Sequence, residues 1–364
     1  MRELKVELGE RSYPIYIGEG LLGNLATYLD QHKLSKVSPM LIITDSSVAP
    51  LHLSKVMDAL QQGGYSAASY VVPAGEKSKS LAVLEDIVTA ALENGLDRKS
   101  AILALGGGVV GDLAGFAAAS FMRGIRFVQI PTTILAHDSS VGGKVAVNHP
   151  MAKNIIGAFH QPELVLFDIS ILTTLPIRQV RNGLSEVVKH GLIWDASFAQ
   201  WCDDNADKLL SLDTEALQYA LYQGCRIKAI VVSQDEREND LRAILNLGHT
   251  IGHALEAVAG YSELLHGEAI SIGMVGAAKL AQQFGYSPEI HSETKRIFEK
   301  LGLPVTIPAH MDTDLIISAM MHDKKFKEGT MAFIIPMEIG KVEIRKDVTV
   351  DQVRKVVESL KGEA

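Results

Sequence analysis

The sequence predicts an α/β N-terminal domain with a mostly parallel sheet, followed by a mainly α-helical C-terminal domain. In the first half, short apolar runs alternate with segments of helical periodicity, whereas beyond about residue 172 nearly every segment repeats every 3.6 residues. The chain has 364 residues, which exceeds the length over which one hydrophobic core usually keeps growing. We therefore predict two domains, 1–174 and 175–364.

The first domain is expected to contain five buried strands. These are MLIIT (40–44), SYVVP (69–73), AILAL (101–105), FVQIP (127–131) and LVLF (164–167). Segments 47–62 and 80–94 have helical spacing and lie between strands, an alternation that indicates a parallel sheet covered on both faces. The opening segments LKVEL and YPIYIG are typical of an antiparallel ribbon added at one edge.

The second domain is expected to be helical, with one exception. Helical periodicity covers 178–194, 214–234, 247–258, 269–284, 292–301 and 350–360. The segments MAFIIP (331–336) and KVEIR (341–345) instead predict a small β-hairpin around MEIG.

Composition excludes several classes of protein. The 35 basic and 43 acidic residues give a formal charge of −8, which argues against nucleic acid as the main partner. The N-terminus lacks the apolar run of a signal peptide, and no apolar stretch approaches the ~20 residues of a membrane helix. Only Cys202 and Cys225 are present, which suits a reducing compartment. We predict a cytoplasmic protein.

A glycine-rich turn joins the AILAL strand to a helix. Gly106, Gly108 and Gly111 satisfy G-x-G-x-x-G in the context where backbone amides and a helix N-terminus receive a pyrophosphate. The acidic residue expected about 20 positions later is absent, and Asp45 at the end of an earlier strand could hold a ribose diol instead. The turn therefore predicts a nucleotide site in which the acidic residue for the ribose comes from an earlier strand instead of following the turn.

A histidine cluster follows in the second domain. His249 and His253 lie one helical turn apart, and His266 follows with Glu268 beside it. Two imidazoles and a carboxylate suit zinc, with cobalt as a plausible substitute. Spacing leaves the ligand set open among His249, His253, Glu256, His266, Glu268 and Glu186. A metal site and a nucleotide site on one chain indicate redox chemistry.

Basic side chains lie within polar and glycine-rich segments. They are Arg123, Lys144, Lys153, Lys189, Lys228, Arg242 and Lys324. Taken singly, each is typical of a solvated surface charge, but Gly-Gly-Lys and Lys-Asn contexts favour an anion pocket.

Over nearly its whole length the chain resembles the 3-dehydroquinate synthase family. The matching segments include PAGEKSKS, LGGGVVGDLAGFAAASFMRGIRFVQIPTT, HDSSVGGKVAVNHPMAKNIIGAFHQP, LSEVVKHG, DERENDLRAILNLGHTIGHALE and LHGEAISIGM. The resemblance implies conversion of a seven-carbon keto sugar acid phosphate, DAHP, into 3-dehydroquinate and phosphate in the shikimate pathway. It also implies NAD, a divalent metal and a homodimer.

The resemblance further implies roles for individual residues. The metal ligands would be Glu186, His249 and His266. NAD would contact Asp45, Glu76, Lys79, Gly107, Gly108, Val109, Asp112, Thr132, Thr133, Lys144 and Lys153. Substrate would be lined by Asp138, Lys144, Asn154, Lys189, Lys228, Arg242, Asn246, His253 and Lys324. Arg123 would reach the phosphate site of the neighbouring subunit.

One departure and three rival interpretations accompany this resemblance. The loop in PTTILAHDSS is one residue shorter than in many members, which makes the role of Asp138 less secure than that of Lys144.

A metal-dependent polyol or glycerol-phosphate dehydrogenase would lack the full set of anion anchors. A related sugar-phosphate cyclase would differ among pocket residues such as Asn246 and His253. A non-catalytic binding module would not need every candidate ligand.

Overall fold

The computed structural model describes residues 1–237, 241–260, 263–321, 326–327 and 330–361. The chain divides into two compact units, of which one comprises Met1–Leu175 and Leu217–Ser233 and the other Pro176–Ala216 and Gln234–Ala364. The main division falls within one residue of position 174. However, 217–233 belongs to the N-terminal unit, so two contiguous domains do not describe the chain fully.

The first unit is built on a seven-stranded sheet. Its strands are β1 (Arg2–Val6), β2 (Tyr13–Gly18), β3 (Met40–Asp45), β4 (Ala67–Val72), β5 (Ala101–Gly106), β6 (Arg126–Pro131) and β9 (Leu164–Asp168), in the order β1-β2-β9-β6-β5-β3-β4. Only the β1–β2 pair is antiparallel, and it forms the predicted edge ribbon. All the other pairs are parallel, as the alternating pattern predicts.

Apolar clusters cover both faces of this sheet. The first-unit helices are α1 (Leu25–Gln31), α2 (Ser54–Gln62), α3 (Leu81–Glu93), α4 (Gly108–Ser120), α5 (Ala136–Ser139), α6 (Ile169–Leu172) and most of α10 (Thr214–Gln234). Leu41 and Ile43 pack with α3 and α4 on one face, and Met40 and Ile42 pack with α1 and α2 on the other. Successive strand residues point to opposite faces, which is why these buried strands read as continuous apolar runs.

A separate hairpin, absent from the sequence prediction, lies beside α4. It pairs β7 (Lys144–His149) with β8 (Ala152–Phe159). Its packing against α4 requires Gly115, because a Cβ there would lie 2.4 Å from a methyl of Val145. The hairpin carries Lys144 and Asn154 on the first unit.

The second unit is mainly helical, as predicted. Its elements are α7 (Ile177–Trp194), α8 (Ala196–Asp204), α9 (Ala206–Leu210), α11 (His249–Val258), α12 (His266–Ala281), α13 (Pro288–Lys300), α14 (Thr313–Met321), β10 (Phe326–Lys327), β11 (Thr330–Glu338), β12 (Lys341–Thr349) and α15 (Val350–Ser359). The central helix is α12, which packs against α7, α11, α13 and β11. The predicted hairpin corresponds to β11 and β12, whereas α8, α9 and α14 were not predicted.

The predicted start of one helix is wrong in a way that bears on the site. The periodic pattern places the helix at 269–284, but α12 begins at His266. Leu265 precedes it as the N-cap residue, and its backbone amide donates to the Glu268 carboxylate at 2.8 Å. Polar residues in a first turn do not contribute to apolar periodicity, so the pattern missed this turn.

None of the helices in the described ranges combines the length and apolarity that crossing a membrane requires.

Candidate metal centre and nucleotide-binding region

Helix α7 supplies the buried carboxylate of the metal centre. Glu186 and Lys189 lie one turn apart on α7, and the side chain of each is 1% exposed. The Lys189 ammonium donates to Oε2 of Glu186. A buried carboxylate is costly unless it is paired, and this ion pair neutralises Glu186 while fixing its second oxygen.

Two imidazoles face the other oxygen of Glu186. The Nε2 atoms of His249 and His266 lie 3.7 and 3.6 Å from Oε1 of Glu186. His249 is the first residue of α11, and His266 is the first residue of α12. The three ligand atoms lie within 4.8 Å of one another, so they can share one ion.

This donor set fits a divalent ion such as zinc. Ligand bonds of ~2.0–2.1 Å in tetrahedral geometry place neighbouring donor atoms about 3.3 Å apart, close to the observed spacing. Both rings are also oriented by their second nitrogen: Nδ1 of His249 lies 3.1 Å from the Leu247 carbonyl oxygen, and Nδ1 of His266 lies 3.2 Å from Oε2 of Glu256. Each Nε2 therefore faces Glu186.

The two histidines differ in proton affinity. Burial lowers the pKa of His249 well below its ordinary value, which favours the neutral, ligating form. Burial acts in the same direction on His266, but hydrogen bonds to Glu186 and Glu256 outweigh it and raise its pKa to about 10. The difference follows from their surroundings, since two carboxylates flank His266 whereas, among the described residues, His249 has only one.

Glycines allow the three helices to approach closely enough to bring the ligands together. A Cβ on Gly267 would lie 2.0 Å from the Asn182 carbonyl oxygen on α7, and its amide donates to Oδ1 of Asn182 at 2.6 Å. Likewise, a Cβ on Gly273 would lie 2.0 Å from the carbonyl oxygen of Gly248, whose φ is +78°. Larger residues would separate α12 from its neighbours and His266 from Glu186.

The remaining acidic candidate near His266 has a different partner. Glu268 accepts two hydrogen bonds from Arg178, both of 2.7 Å, and therefore braces the start of α12 against α7. This bidentate pair and the Leu265 amide outweigh burial and lower the pKa of Glu268. The sequence spacing alone did not exclude Glu268 as a metal ligand. In the structure its carboxylate pairs with Arg178, and this ion pair accounts for an acidic residue at this position.

Three other substrate candidates of the second unit lie within seven residues of His249 along the chain. His253 is exposed on α11, and its ring centroid lies 5.1 Å from that of His249. Arg242 is 2% exposed, its amide donates to Asp235 and its guanidinium donates to the Glu236 carbonyl. Asn246 ends the 3-10 segment that begins at Leu241. Lys324 lies outside the described residues.

The glycine-rich turn joins a strand to a helix, which is the local structure that the sequence predicts for it. Strand β5 ends at Gly106, and Gly107 leads into α4. A Cβ on Gly107 would lie 3.0 Å from Thr133, so the backbone rather than a side chain lines the turn. Val109 is half-buried in the first turn of α4. Free amides at such a helix start can receive a pyrophosphate.

A polar network lies beside this turn. The Lys79 ammonium donates to Asp112 at 2.6 Å and to Asn154 at 2.5 Å. Asn154, with a φ of +54°, donates its amide to Asn148, whose side chain donates to Glu76 at 2.7 Å. Burial raises the pKa of Asp112, and Lys79 opposes that shift. The network thus joins Glu76, Lys79, Asp112 and Asn154 in one region.

Thr132 offers the clearest fit to a cofactor. Its side chain is buried, and within the described parts of the chain its Oγ1 has no hydrogen-bond partner. A buried hydroxyl without a partner costs free energy that a bound ligand can recover. Asp45 is partly exposed at the end of β3, where it accepts bonds from Ser47 and Val48. These groups suit an NAD molecule at the carboxyl ends of the strands.

The remaining candidates of the first unit fall into an ion pair and an exposed set. Lys228 on α10 donates to the carboxylate and the carbonyl of Asp138 at 2.8 and 2.6 Å, so the shortened loop keeps Asp138 in an ion pair. The exposed residues are Lys144, Lys153 and Arg123. Arg123 has a φ of +69° in a turn between α4 and β6.

Two residues in these regions make orienting contacts that the sequence interpretation did not identify. Asn148 was not singled out, although it connects Glu76 to Asn154. Glu256 was considered as a ligand, but it contacts Nδ1 of His266. Its position three residues after His253 is the only sequence signal, and that spacing is equally typical of an ordinary helical surface.

Comparisons with known proteins identify the same family for both halves of the chain. The family model described as 3-dehydroquinate synthase N-terminal matches residues 69–182, and the C-terminal model matches residues 183–326. A 3-dehydroquinate synthase from Desulforamulus reducens is 49% identical over 350 residues, which cover 96% of this chain and 97% of the relative.

Solved structures of related cyclases have the same fold. A 2-deoxy-scyllo-inosose synthase with carbaglucose-6-phosphate, NAD+ and Co2+ has a TM-score of 0.91 and 28% identity, covering 98% of this chain and 99% of its own. A 2-epi-5-epi-valiolone synthase from Streptomyces hygroscopicus subsp. jinggangensis 5008, with NAD+ and Zn2+, has a TM-score of 0.87 and 28% identity. The respective coverages there are 97% and 98%.

Proposed function

The chain belongs to the 3-dehydroquinate synthase family, and on this basis we propose which residues bind the metal, NAD and the substrate during the reaction. The enzyme depends on NAD and a divalent metal and converts DAHP into 3-dehydroquinate and phosphate. The observation that carries our assignment is the position of Glu186 Oε1, which faces both His249 and His266 while Lys189 holds Oε2.

When bound, NAD would supply reversible hydride transfer and the divalent ion would supply Lewis acidity toward the substrate oxygens. Glu186, His249 and His266 hold the ion. Thr132 and the amides after Gly107 bind NAD, together with Asp45, Glu76, Lys79, Asp112, Thr133, Lys144 and Lys153. Because the hydride is returned, no NADH accumulates over a full turnover.

Basic residues bind the two anionic ends of the substrate. Arg242 binds the carboxylate, since its buried guanidinium is held in place by the Glu236 carbonyl and its charge cannot be lost at neutral pH. Lys228 binds the same group, with its ammonium oriented by Asp138. Lys144, Asn154 and His253 bind the phosphate, which keeps the leaving group fixed while its bond breaks.

Elimination requires removal of a proton next to the newly formed ketone. The departing phosphate has a second pKa near 6 and can accept this proton while Lys144 and Asn154 hold it. Ring opening and aldol closure then depend on the orientation of the bound intermediate. Lys189, Asn246 and Lys324 complete the set of substrate residues that the family implies.

We also propose a cytosolic homodimer in which Arg123 acts on the neighbouring subunit's substrate. Its exposed position in a strained turn supports a role outside its own subunit. Both cysteines are buried free thiols, which agrees with a reducing compartment. Mixing inactive Arg123→Ala with inactive His249→Ala tests the dimer. In an equimolar mixture about half of the dimers would be mixed, and each would regain one of its two sites, so the mixture would recover about a quarter of wild-type activity.

The assay that tests the overall function follows phosphate release from DAHP with catalytic NAD and zinc. Many turnovers without net NADH, and with 3-dehydroquinate as product, are expected. Steady NADH formation with a simple polyol would instead identify a dehydrogenase. Cyclisation of a different sugar phosphate, without turnover of DAHP, would identify a sister cyclase.

A further inference from the structure

The imidazole of His266 has a different acidic neighbour at each nitrogen. Its Nε2 lies 3.6 Å from Oε1 of Glu186, and its Nδ1 lies 3.2 Å from Oε2 of Glu256. A neutral imidazole that ligates a metal through Nε2 carries its proton on Nδ1. Glu256 is therefore in position to accept that proton in a hydrogen bond.

The fold holds Glu256 at this point. It lies seven residues after His249 on α11, about two turns later, so both residues occupy the same side of the helix. Its side chain is 9% exposed, which makes its carboxylate unsuited to a solvated surface role. The close approach of α11 to α12 through Gly248 and Gly273 brings Glu256 to His266.

The contact also affects the ligand itself. A carboxylate that accepts a hydrogen bond from Nδ1 increases the basicity of the imidazole that binds the ion through Nε2. Glu256 therefore strengthens His266 as a ligand as well as orienting it.

We propose that Glu256 is a positioning residue for the metal centre, which fixes the Nδ1–H tautomer and orientation of His266 and increases the basicity of this ligand. The proposal rests on the assignment of Glu186, His249 and His266 as the ligands. His249 provides an internal contrast, because its Nδ1 faces a backbone carbonyl that carries no net charge. The two histidines would then differ in their response to loss of a neighbouring side chain.

A second metal site at His253, Glu256 and His266 is the main alternative, since their potential ligand atoms also lie within 4.8 Å of one another. It requires Nδ1 of His266 as a ligand while Nε2 binds the first ion, which would demand a fully deprotonated imidazole. His253 is exposed, unlike the buried ligands of a closed structural site. The geometry therefore favours one ion with Glu256 behind His266.

The test compares zinc affinity in Glu256→Ala, Glu256→Gln and the control Glu299→Gln, by competition with a chromogenic chelator. Glu256→Ala is expected to raise the zinc Kd about 10- to 100-fold, the usual cost of removing a partner behind a metal ligand. Glu256→Gln keeps a hydrogen-bond acceptor and should have a smaller effect. Glu299 lies on α13 as an exposed partner of Lys295, so its variant should retain the wild-type Kd.

A cobalt spectrum separates positioning from general stability. At saturating cobalt, Glu256→Gln should shift the visible d–d bands, because the orientation and basicity of one ligand change. A merely structural role would leave this spectrum unchanged. If Glu256→Ala does not fold, the Glu256→Gln spectrum and Kd decide the question.

Two outcomes would overturn the proposal. One is an unchanged zinc Kd and cobalt spectrum in folded Glu256 variants. The other is a wild type that binds two equivalents of zinc and Glu256 variants that bind one, because this result would identify a second ion site. Glu186→Ala tests the underlying assignment separately: if it retains stoichiometric zinc with wild-type affinity, the ligand set itself is wrong.

Discussion

The metal centre and the nucleotide-binding region organise their polar groups in different ways. In the metal centre, Glu186, His249 and His266 are each held from behind by another group, so their ligating atoms face one point. In the nucleotide-binding region, Lys79 binds Asp112 and Asn154 directly, and a buried hydroxyl of Thr132 is left for a ligand. The first region is oriented for one small ion, whereas the second forms a stable polar surface that an extended cofactor can cover.

The largest expected effect comes from removing one oriented ligand. His249→Ala should lower kcat at least ~1,000-fold, since a catalytic ion contributes several kcal/mol to transition-state stabilisation. Zinc content by atomic emission and phosphate release check it. Exposed His310→Ala is the control. Near-normal turnover with stoichiometric zinc in His249→Ala would contradict the assignment of His249 as a metal ligand.

Breaking the polar network is expected to cost less activity but more stability. Lys79→Ala leaves a largely buried Asp112 carboxylate without its cation, which should lower the free energy of unfolding by about 3 kcal/mol. NAD affinity should fall as well, by about tenfold. Urea unfolding and NAD titration measure the two effects, with the exposed neighbour Lys77→Ala as the control. Wild-type stability in Lys79→Ala would mean that this network does not stabilise the region.

Helix packing in the metal centre can be tested without touching a ligand. Gly267→Ala should lower the free energy of unfolding by about 2 kcal/mol, because its Cβ would overlap the Asn182 carbonyl oxygen. It should also weaken zinc binding by moving His266. Gly23→Ala, where nothing lies within 4 Å of the new Cβ, is the control. Reduced stability with unchanged zinc affinity would show that close packing does not position the ligand.

A single hydroxyl tests the nucleotide-binding region. Thr132→Val should raise the Kd for NAD about fivefold, the cost of one hydrogen bond of ~1 kcal/mol, without lowering stability. Thr44→Val is matched to it, because Thr44 Oγ1 is also buried without a partner among the described residues. Calorimetric titration should distinguish the two variants. Equal NAD affinities would contradict the assignment of Thr132.

The smallest effect concerns pH and the brace at the start of α12. The pKa of Glu268 is lowered in the folded state, so its stabilisation is present above the unfolded pKa of about 4.3 and is lost as the pH falls through the folded value. Glu268→Gln should therefore lower the Tm at pH 6, and the difference from wild type should shrink by pH 3. Exposed Glu299→Gln controls for charge alone. A constant difference would mean that the ion pair with Arg178 does not contribute.

Much of the fold could be predicted because it depends on local patterns. The strand–helix alternation, the edge ribbon of β1 and β2, and the glycine turn before α4 each have a signature within a few residues. The hairpin of β7 (KVAVNH) and β8 (AKNIIGAF) was missed because apolar and polar residues do not alternate regularly in either strand. The chain position of Lys228 was known, but only packing assigns its helix to the first unit.

The sequence establishes which types of group are available for chemistry and the family they indicate: imidazoles one helical turn apart, a carboxylate, basic residues and a phosphate-type glycine turn. The family resemblance also names the three expected metal ligands, but the contacts between these groups follow from the tertiary packing. It brought Glu186 on α7 to His249 and His266, directed Glu268 to Arg178 and placed Glu256 behind a ligand. Spacing fixes neighbours within one helix, whereas contacts between helices depend on how closely their surfaces pack, and here glycines set that distance.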